Sequence, residues 1–166
     1  WGRRSDGVLL GFTYIRDQNV FAWHRHSLSG PGNVSGGPAI VESFSVLPSA
    51  DGSIDEVYLL VNRYINGHAE RYVEVLSKIW EPGDLQVDAF HADCGITDLA
   101  SPANNTISGL WHLEGQTVPV WADGTVHPNV TITNGKAVLN GSYSIRTIGY
   151  KFNSDGETLP FDAGAQ

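Results

Sequence analysis

Two histidines one residue apart form the most chemically suggestive pair in the sequence. His24 and His26 flank Arg25. Alternate side chains of a β-strand point to the same face, so both imidazoles could bind one metal ion. A third ligand would have to come from His68, His91 or Asp93. The alternative is a polar strand face whose imidazoles bond to neighbouring strands, and we favour it because metal sites usually show more complete ligand spacing. We therefore predict no bound metal or other cofactor.

The single cysteine is a second candidate for chemistry. Cys94 ends the segment His91-Ala92-Asp93-Cys94, where a nearby imidazole could activate a thiol nucleophile. An unpaired cysteine is more often a small buried apolar residue, and we favour that interpretation. One cysteine also excludes an internal disulfide and a CxxC metal knuckle.

Acidic pairs raise the hypothesis of a carboxylate-based hydrolase. A glycosidase needs two carboxylates on either side of a cleft, and five Trp and six Tyr residues could line a sugar site. Glu70 and Glu74 fall on one face of a predicted strand, where charge is typical of a solvated outer surface. Nucleotide-binding glycine loops and the GxSxG and HExxH patterns do not occur. The nucleotide-binding and hydrolase hypotheses therefore receive no support from these motifs. The acidic pairs considered are Asp55/Glu56, Glu70/Glu74 and Asp84/Asp88.

The composition excludes several classes of protein. Apolar residues make up 41% of the 166 residues, enough for a packed core. No apolar run reaches the roughly 18 residues of a membrane-spanning helix. Ten basic against eighteen acidic residues, for a net charge of −8, argue against a surface that grips nucleic acid.

Short β-rich runs separated by turns indicate an all-β fold. Several glycines follow Asp or Asn, in pairs that tolerate the positive φ of tight turns. Those pairs are Asp6-Gly7, Asp51-Gly52, Asn66-Gly67, Asp123-Gly124, Asn134-Gly135 and Asn140-Gly141. We predict five strands, over 8–15, 20–27, 39–47, 56–64 and 70–77, that form an antiparallel meander resembling a propeller blade.

A second β run predicts a small barrel or sandwich module. Its strands are predicted over 89–92, 106–110, 117–122, 125–133, 136–139 and 143–150. The predicted organisation is a blade-like sheet over 1–80, a linker over 81–88, the small module over 89–150 and an irregular tail over 151–166. The predicted core of the module comprises Ile107, Leu110, Leu113, Val118, Val120, Val126, Val130, Ile132, Val138, Leu139, Ile145 and Ile148.

Several segments resemble the tail nozzle proteins of short-tailed phages, also called tail tubular protein B or tail stabilisation proteins. In the first half these segments are RSDGVLLGFTY (4–14), FAWHRH (21–26), VESFSVLP (41–48), DEVYLLVNRYING (55–67) and RYVEVL (71–76). In the second half they are TISGLWHLEGQTV (106–118), WADGTVHP (121–128) and ETLPFDAG (157–164). The likeness covers nearly the whole chain in the family's order, from the late propeller region into the small β module that follows it.

The resemblance implies a structural function. Such a protein is a virion component that forms a ring of identical subunits, usually six, contacts tail adaptor and tail fibre proteins, and conducts the genome without catalysis or a cofactor. An acidic chain suits a conduit, because its wall repels phosphate and lets DNA pass without being held. We expect Asp84, Asp88, Glu114 and Asp123 to be interface or lumen residues. No membrane-spanning segment is expected.

A second functional hypothesis is a carbohydrate-binding module, or a glycan-active tail or surface protein, that uses exposed Trp and Tyr side chains. The hydrolase hypothesis requires a cleft with two carboxylates at catalytic separation. The chain contains no Met and begins with Trp1, from which we expect it to start inside a larger propeller. An apolar face of the first sheet would then be exposed here.

Overall fold

The computed structural model describes residues 1–155, of which more than half lie in β-strands. The strands are β1 (Gly2–Arg3), β2 (Leu9–Ile15), β3 (Val20–His26), β4 (Ile40–Pro48), β5 (Asp55–Ile65), β6 (His68–Val75), β7 (Asp93–Ser108), β8 (Thr117–Ala122), β9 (Thr125–Thr131) and β10 (Lys136–Tyr150). Short 3-10 turns lie at Arg16–Gln18, Gln86–Asp88 and Trp111–Leu113. The all-β prediction is confirmed. Among residues 1–155, no helix is long and apolar enough to cross a membrane.

The strands form three antiparallel sheets. The first has the order β1-β2-β3, the second β4-β5-β6 and the third β7-β10-β8-β9. The first two sheets precede residue 81, and the third follows residue 88. In the described part of the chain no pairing joins β7 to β9, so the third sheet is open and not a closed barrel.

The five strands predicted for the first half are all present, but they are divided between two sheets. Residues 27–39, between β3 and β4, contain four glycines and two prolines. Prolines donate no backbone hydrogen bond, and Gly30, Gly36 and Gly37 adopt positive φ. Only the bridge between Leu28 and Ala39 therefore joins the two sheets along this connection.

Alternating burial along β5 builds the core of the first half. Val57, Leu59 and Val61 are buried, as the alternation predicts, while the residues between them are half-buried. These three pack with apolar residues of both sheets, namely Leu9, Leu28, Ala39 and Val41. Asn66 and Gly67, with φ of 49° and 83°, form the predicted two-residue turn from β5 to β6.

The third sheet is built on two long strands that the sequence divides into shorter ones. The predicted strands 136–139 and 143–150 form the single strand β10, and 106–110 contains the end of β7. The predicted turn at Asn140-Gly141 was wrong, because β10 continues through it. The register shifts three times, between Val138 and Tyr143, between Tyr143 and Ile145, and between Ile148 and Tyr150. β-Bulges accommodate residues that the sequence predicts to lie in loops.

The predicted strand over 89–92 was wrong. The ladder between β7 and β10 begins where Asp93 pairs with Tyr150. Tyr150 is the last residue of β10, so this strand offers no further backbone groups to pair with residues 89–92. Ala89 is buried there without belonging to a strand.

The core of the third sheet agrees with the prediction at most positions. Val126 and Val138 are exceptions, with exposed fractions of 78% and 65%. Each lies next to a buried strand residue, His127 and Leu139 respectively, and neighbouring residues on a strand face opposite sides. Val130 and Ile145 are half-buried. The buried cluster comprises Ile107, Leu110, Leu113, Val118, Val120, Ala122, Ile132, Ala137, Leu139, Ile148 and Tyr150.

Of the predicted irregular tail, residues 151–155 form neither helix nor strand. Residues 156–166, including the segment ETLPFDAG of the resemblance, lie outside the described residues.

Candidate functional site

The two histidines of β3 lie on one face, as predicted, and bind each other. His24 Nδ1 and His26 Nε2 are 2.7 Å apart, and Thr13 Oγ1 lies 3.2 Å from His24 Nε2. Gly11 lies opposite His24, and a Cβ at position 11 would fall 2.0 Å from the imidazole. Trp1 packs against both rings.

The proposed third metal ligands are not brought to these histidines. Within residues 1–155, no three His, Cys, Asp or Glu side chains are grouped so that they could hold a metal ion. Burial, followed by the neighbouring His24, lowers the pKa of His26. The two imidazoles are therefore hydrogen-bonded to each other along one face of β3.

A buried ion pair connects β5 and β6 beneath the surface. Arg63 continues the buried face of β5 and has an exposed fraction of 0%. Its Nε and Nη2 donate to the two carboxylate oxygens of Glu74, at 2.5 and 2.8 Å. Glu74 therefore faces inward and is not a solvated outer residue, which corrects the expectation for the Glu70/Glu74 pair. A fork-to-fork geometry of this kind fixes both side chains.

The same arginine connects the two halves of the molecule. Arg63 Nη1 donates to the carbonyl of Ser29, and the guanidinium lies 5.7 Å from the centre of the Tyr150 ring. Ser29 N donates to Asp93 Oδ2 at 2.6 Å. Tyr150 and Asp93 belong to the third sheet. We call Arg63, Glu74, Asp93, Cys94 and Tyr150 the junction cluster.

Burial controls the ionisation of the junction cluster. It raises the pKa of the Cys94 thiol to about 12, and it is also the main cause of the raised pKa of Asp93. A thiol with that pKa is almost wholly protonated at neutral pH and is a poor nucleophile. Tyr150 is also buried, its pKa is raised to about 12, and its hydroxyl has no hydrogen-bond partner among the described residues.

A cavity of about 370 Å³ opens beside the junction cluster. Glu74 and Cys94 line it, together with His112 from the 3-10 turn after β7. Burial lowers the pKa of His112. Two carboxylates, Glu74 and Asp93, thus line the cavity, but both have partners: Glu74 is held by Arg63, and Asp93 accepts a hydrogen bond from Ser29 N.

The other two acidic pairs are on the surface. Asp55 is exposed at the start of β5, and Glu56 accepts a hydrogen bond of 2.8 Å from Tyr58. Asp84 accepts from Lys78 Nζ at 3.2 Å and from the backbone N–H of Glu81 at 3.0 Å, and the latter bond is the main cause of its lowered pKa.

The four predicted interface or lumen acids divide into two groups. Glu114 accepts from the backbone N–H groups of the turn at 134–135, at 2.9 and 2.7 Å. Asp123 accepts from the backbone N–H groups of residues 144 and 145. These two acids therefore stabilise turns of their own chain. Asp84 and Asp88 line a separate cleft of about 210 Å³.

The β2–β3 hairpin has an exposed aromatic face. An exposed apolar face of the first sheet was expected, but its residues were not identified from the sequence. Phe12 pairs with Trp23 and Tyr14 with Phe21 across the two strands, so all four side chains share one face. Their exposed fractions run from 47% for Phe12 to 67% for Trp23. The centres of the Phe12 and Trp23 rings are 4.8 Å apart, with planes inclined at 43°. We call these four residues the aromatic face.

Sequence reasoning missed Arg63 and the aromatic face for different reasons. Extending the buried alternation Val57, Leu59, Val61 by two residues reaches Arg63, so a signal for its burial existed. The sequences of β2 and β3 do not indicate which face of the hairpin, if either, is covered. Neither protein-family models nor curated proteins match the chain.

Proposed function

We propose that this chain is a structural subunit of a short-tailed phage tail nozzle and forms part of a homo-oligomeric ring that conducts the genome. The aromatic face carries the proposal. Soluble monomers rarely expose a contiguous apolar patch of this kind, and such patches mark sites of association. The segments that resemble the nozzle family favour a nozzle ring as the assembly.

The junction cluster supports a structural and not a catalytic role. Its arginine and carboxylate bind each other, and the Cys94 thiol is protonated at neutral pH. Catalytic sites need groups whose pKa lies near the working pH, so that protons can be exchanged. These residues instead hold the two halves together.

The net charge suits passage of DNA. An excess of eight negative charges repels phosphate and disfavours tight binding to the genome. Of the acids named above, Asp84 and Asp88 remain candidates for an interface or lumen, since Glu114 and Asp123 accept hydrogen bonds from turns of their own chain. Location in the virion and contacts with adaptor and tail fibre proteins belong to the same proposal.

Electron microscopy of the purified full-length polypeptide tests this function. We expect rings with a central channel, and size-exclusion chromatography should give the mass of an oligomer. A stable monomer at every concentration would contradict the proposal.

A carbohydrate-binding module is the second candidate, and the aromatic face is the observation that favours it. Sugars stack on exposed aromatic rings, but the 43° between the planes of Phe12 and Trp23 does not give a flat platform. A glycan array tests this alternative. Binding that is lost in Trp23→Ala and retained in Trp111→Ala, an exposed Trp elsewhere, would favour it over assembly.

A further inference from the structure

We propose that the aromatic face of one copy docks onto the segment 79–88 of a second copy, in a head-to-tail contact. The inference rests on the proposed function, because a ring requires contacts between copies. We call the aromatic face the donor surface and the segment 79–88 the acceptor surface.

The donor surface is a hairpin that is exposed on both sides in its outer half. Residues 12–15 of β2 and 20–23 of β3 are all exposed. The aromatic face lies on one side, while Ile15 and Val20, exposed at 42% and 38%, lie on the other. Removing the aromatic face from water is favourable, since aromatic side chains dominate the energetics of interfaces.

The donor surface is also positively charged in an otherwise acidic chain. Residues 1–30 contain four of the ten basic residues and only two of the eighteen acidic ones. Arg25 lies two residues from Trp23 on the same strand, so it shares the aromatic face, and it is exposed. Arg25 makes no ion pair within residues 1–155. The partner surface should therefore be apolar and acidic.

The segment 79–88 meets both requirements. Ile79 and Leu85 are exposed at 80% and 66%. Acidic residues alternate with them in the order Glu81, Asp84, Asp88. The cleft of about 210 Å³ opens here, and its lining includes Trp80, Asp84, Asp88 and Lys78. Lys78 pairs with Asp84, so Glu81 and Asp88, which make no ion pair within residues 1–155, supply the acidic charge. Trp80 Nε1 donates to the carbonyl of Leu85 at 3.3 Å, which holds the loop in shape.

Charge decides between this contact and the pairing of two hairpins. Two copies that met through their aromatic faces would bring together two surfaces that each carry Arg25 and would offer neither arginine a carboxylate. Contact with the segment 79–88 instead brings Arg25 to carboxylates, which favours correct partners and speeds association. A contact between two different surfaces leaves one of each free, so it propagates and closes into a ring when the rotation allows.

Sedimentation velocity of the 166-residue chain over a range of concentrations tests the contact. The donor variant is Phe21→Ser with Trp23→Ser, and its matched control is Ile15→Ser with Val20→Ser on the opposite side of the same hairpin. The acceptor variant is Ile79→Ser with Leu85→Ser, and its control is Val126→Ser, an exposed valine of β9. We expect each test variant to weaken self-association at least about tenfold and each control to leave it within about twofold.

Mixing the donor and acceptor variants gives the decisive result. Each variant retains the surface that the other has lost, so the mixture should form a one-to-one heterodimer and stop there. Pairing of two hairpins predicts homodimers of the acceptor variant, whose hairpin is intact, and no heterodimer. Circular dichroism checks that each variant keeps its β-structure.

The outcomes separate this inference from the proposed function. If the unmodified chain assembles and the donor variant assembles equally well, the inference is overturned while the ring proposal stands. If the mixture yields no heterodimer, the inference is overturned. If the unmodified chain stays monomeric at every concentration, the inference and the ring proposal are both overturned.

Discussion

Two regions of this molecule depart from the usual arrangement of apolar residues inside and charged residues outside. One region buries charged residues, and the other exposes aromatic ones. The junction cluster places Arg63, Glu74 and Asp93 between the two halves. The β2–β3 hairpin places Trp23 and three further aromatic residues in water. Both arrangements are costly for an isolated chain, since unpaired buried charge and exposed apolar surface are each unfavourable.

The difference lies in whether the chain satisfies these groups itself. Arg63 donates two hydrogen bonds to the Glu74 carboxylate and one to the Ser29 carbonyl, and it lies against the Tyr150 ring, so all its partners come from its own chain. The outer half of the hairpin has both sides exposed. Buried charged residues that find partners in their own chain stabilise the fold. Exposed aromatic residues without such partners indicate contact with another molecule.

The largest expected effect concerns the reactivity of Cys94. With its pKa raised from 9.0 to about 12, the thiolate population near pH 8 falls about a thousandfold. Reaction with a disulfide reagent should therefore be slower by about that factor in the native chain than in guanidinium chloride. A rapid reaction of the native chain at pH 8 would show that the junction is open to solvent.

The same shift sets a dependence of stability on pH. The folded pKa of Cys94 lies above the unfolded value, so the folded state binds the proton more tightly. This contribution is fully present below pH 9 and is lost as the pH rises towards 12. Urea unfolding measured between pH 8 and 10.5, compared with Cys94→Ser, isolates it.

Removing Glu74 should cause the largest loss of stability. Glu74→Ala leaves the guanidinium of Arg63 buried and without its carboxylate, which costs about 3–5 kcal/mol. Denaturant unfolding measures the change, and Glu70→Ala, at an exposed position of the same strand, serves as the control. The double variant Arg63→Met, Glu74→Leu should recover much of the loss. Equal effects of Glu74→Ala and Glu70→Ala would refute the satisfied junction.

A smaller gain in stability is expected from Tyr150→Phe. The hydroxyl is buried without a partner, so its removal should stabilise the chain by up to about 1 kcal/mol and leave the ring against Arg63. Tyr143→Phe is the matched control, because the Tyr143 hydroxyl donates to Asn140 Oδ1 at 3.1 Å; it should be neutral or destabilising. A clear loss of stability in Tyr150→Phe would reveal a ligand of the hydroxyl.

The smallest change in stability is expected on the hairpin. Phe21 is 59% exposed, so Phe21→Ser should alter the free energy of unfolding by less than about 0.5 kcal/mol. By contrast, Leu113→Ala in the core of the third sheet should cost about 2–5 kcal/mol. A large effect of Phe21→Ser would mean that the hairpin is part of the folded core. It would contradict the contrast between the junction cluster and an exposed hairpin.

Local patterns predicted much of this fold. The alternation of β5 and the Asn66-Gly67 turn fix one sheet, because period and turn chemistry are local properties. The continuity of β10 through Asn140-Gly141 depends on bulges against a distant strand, and no local rule reports it. Glu74 was expected to face solvent because charged residues on a strand usually do. Its partner, Arg63, is buried through packing between strands, which the local pattern of β6 does not report.

The order of the strands in the third sheet has a consequence for synthesis of the chain. β10 pairs with β7 on one side and β8 on the other, so β7 has to wait for the last strand while β8 and β9 pair as a local hairpin. Non-local pairing of this kind slows folding. Because Tyr150 ends β10, the junction cluster is completed only when nearly the whole described chain has left the ribosome. Until then the nascent chain carries Arg63 without its aromatic cover.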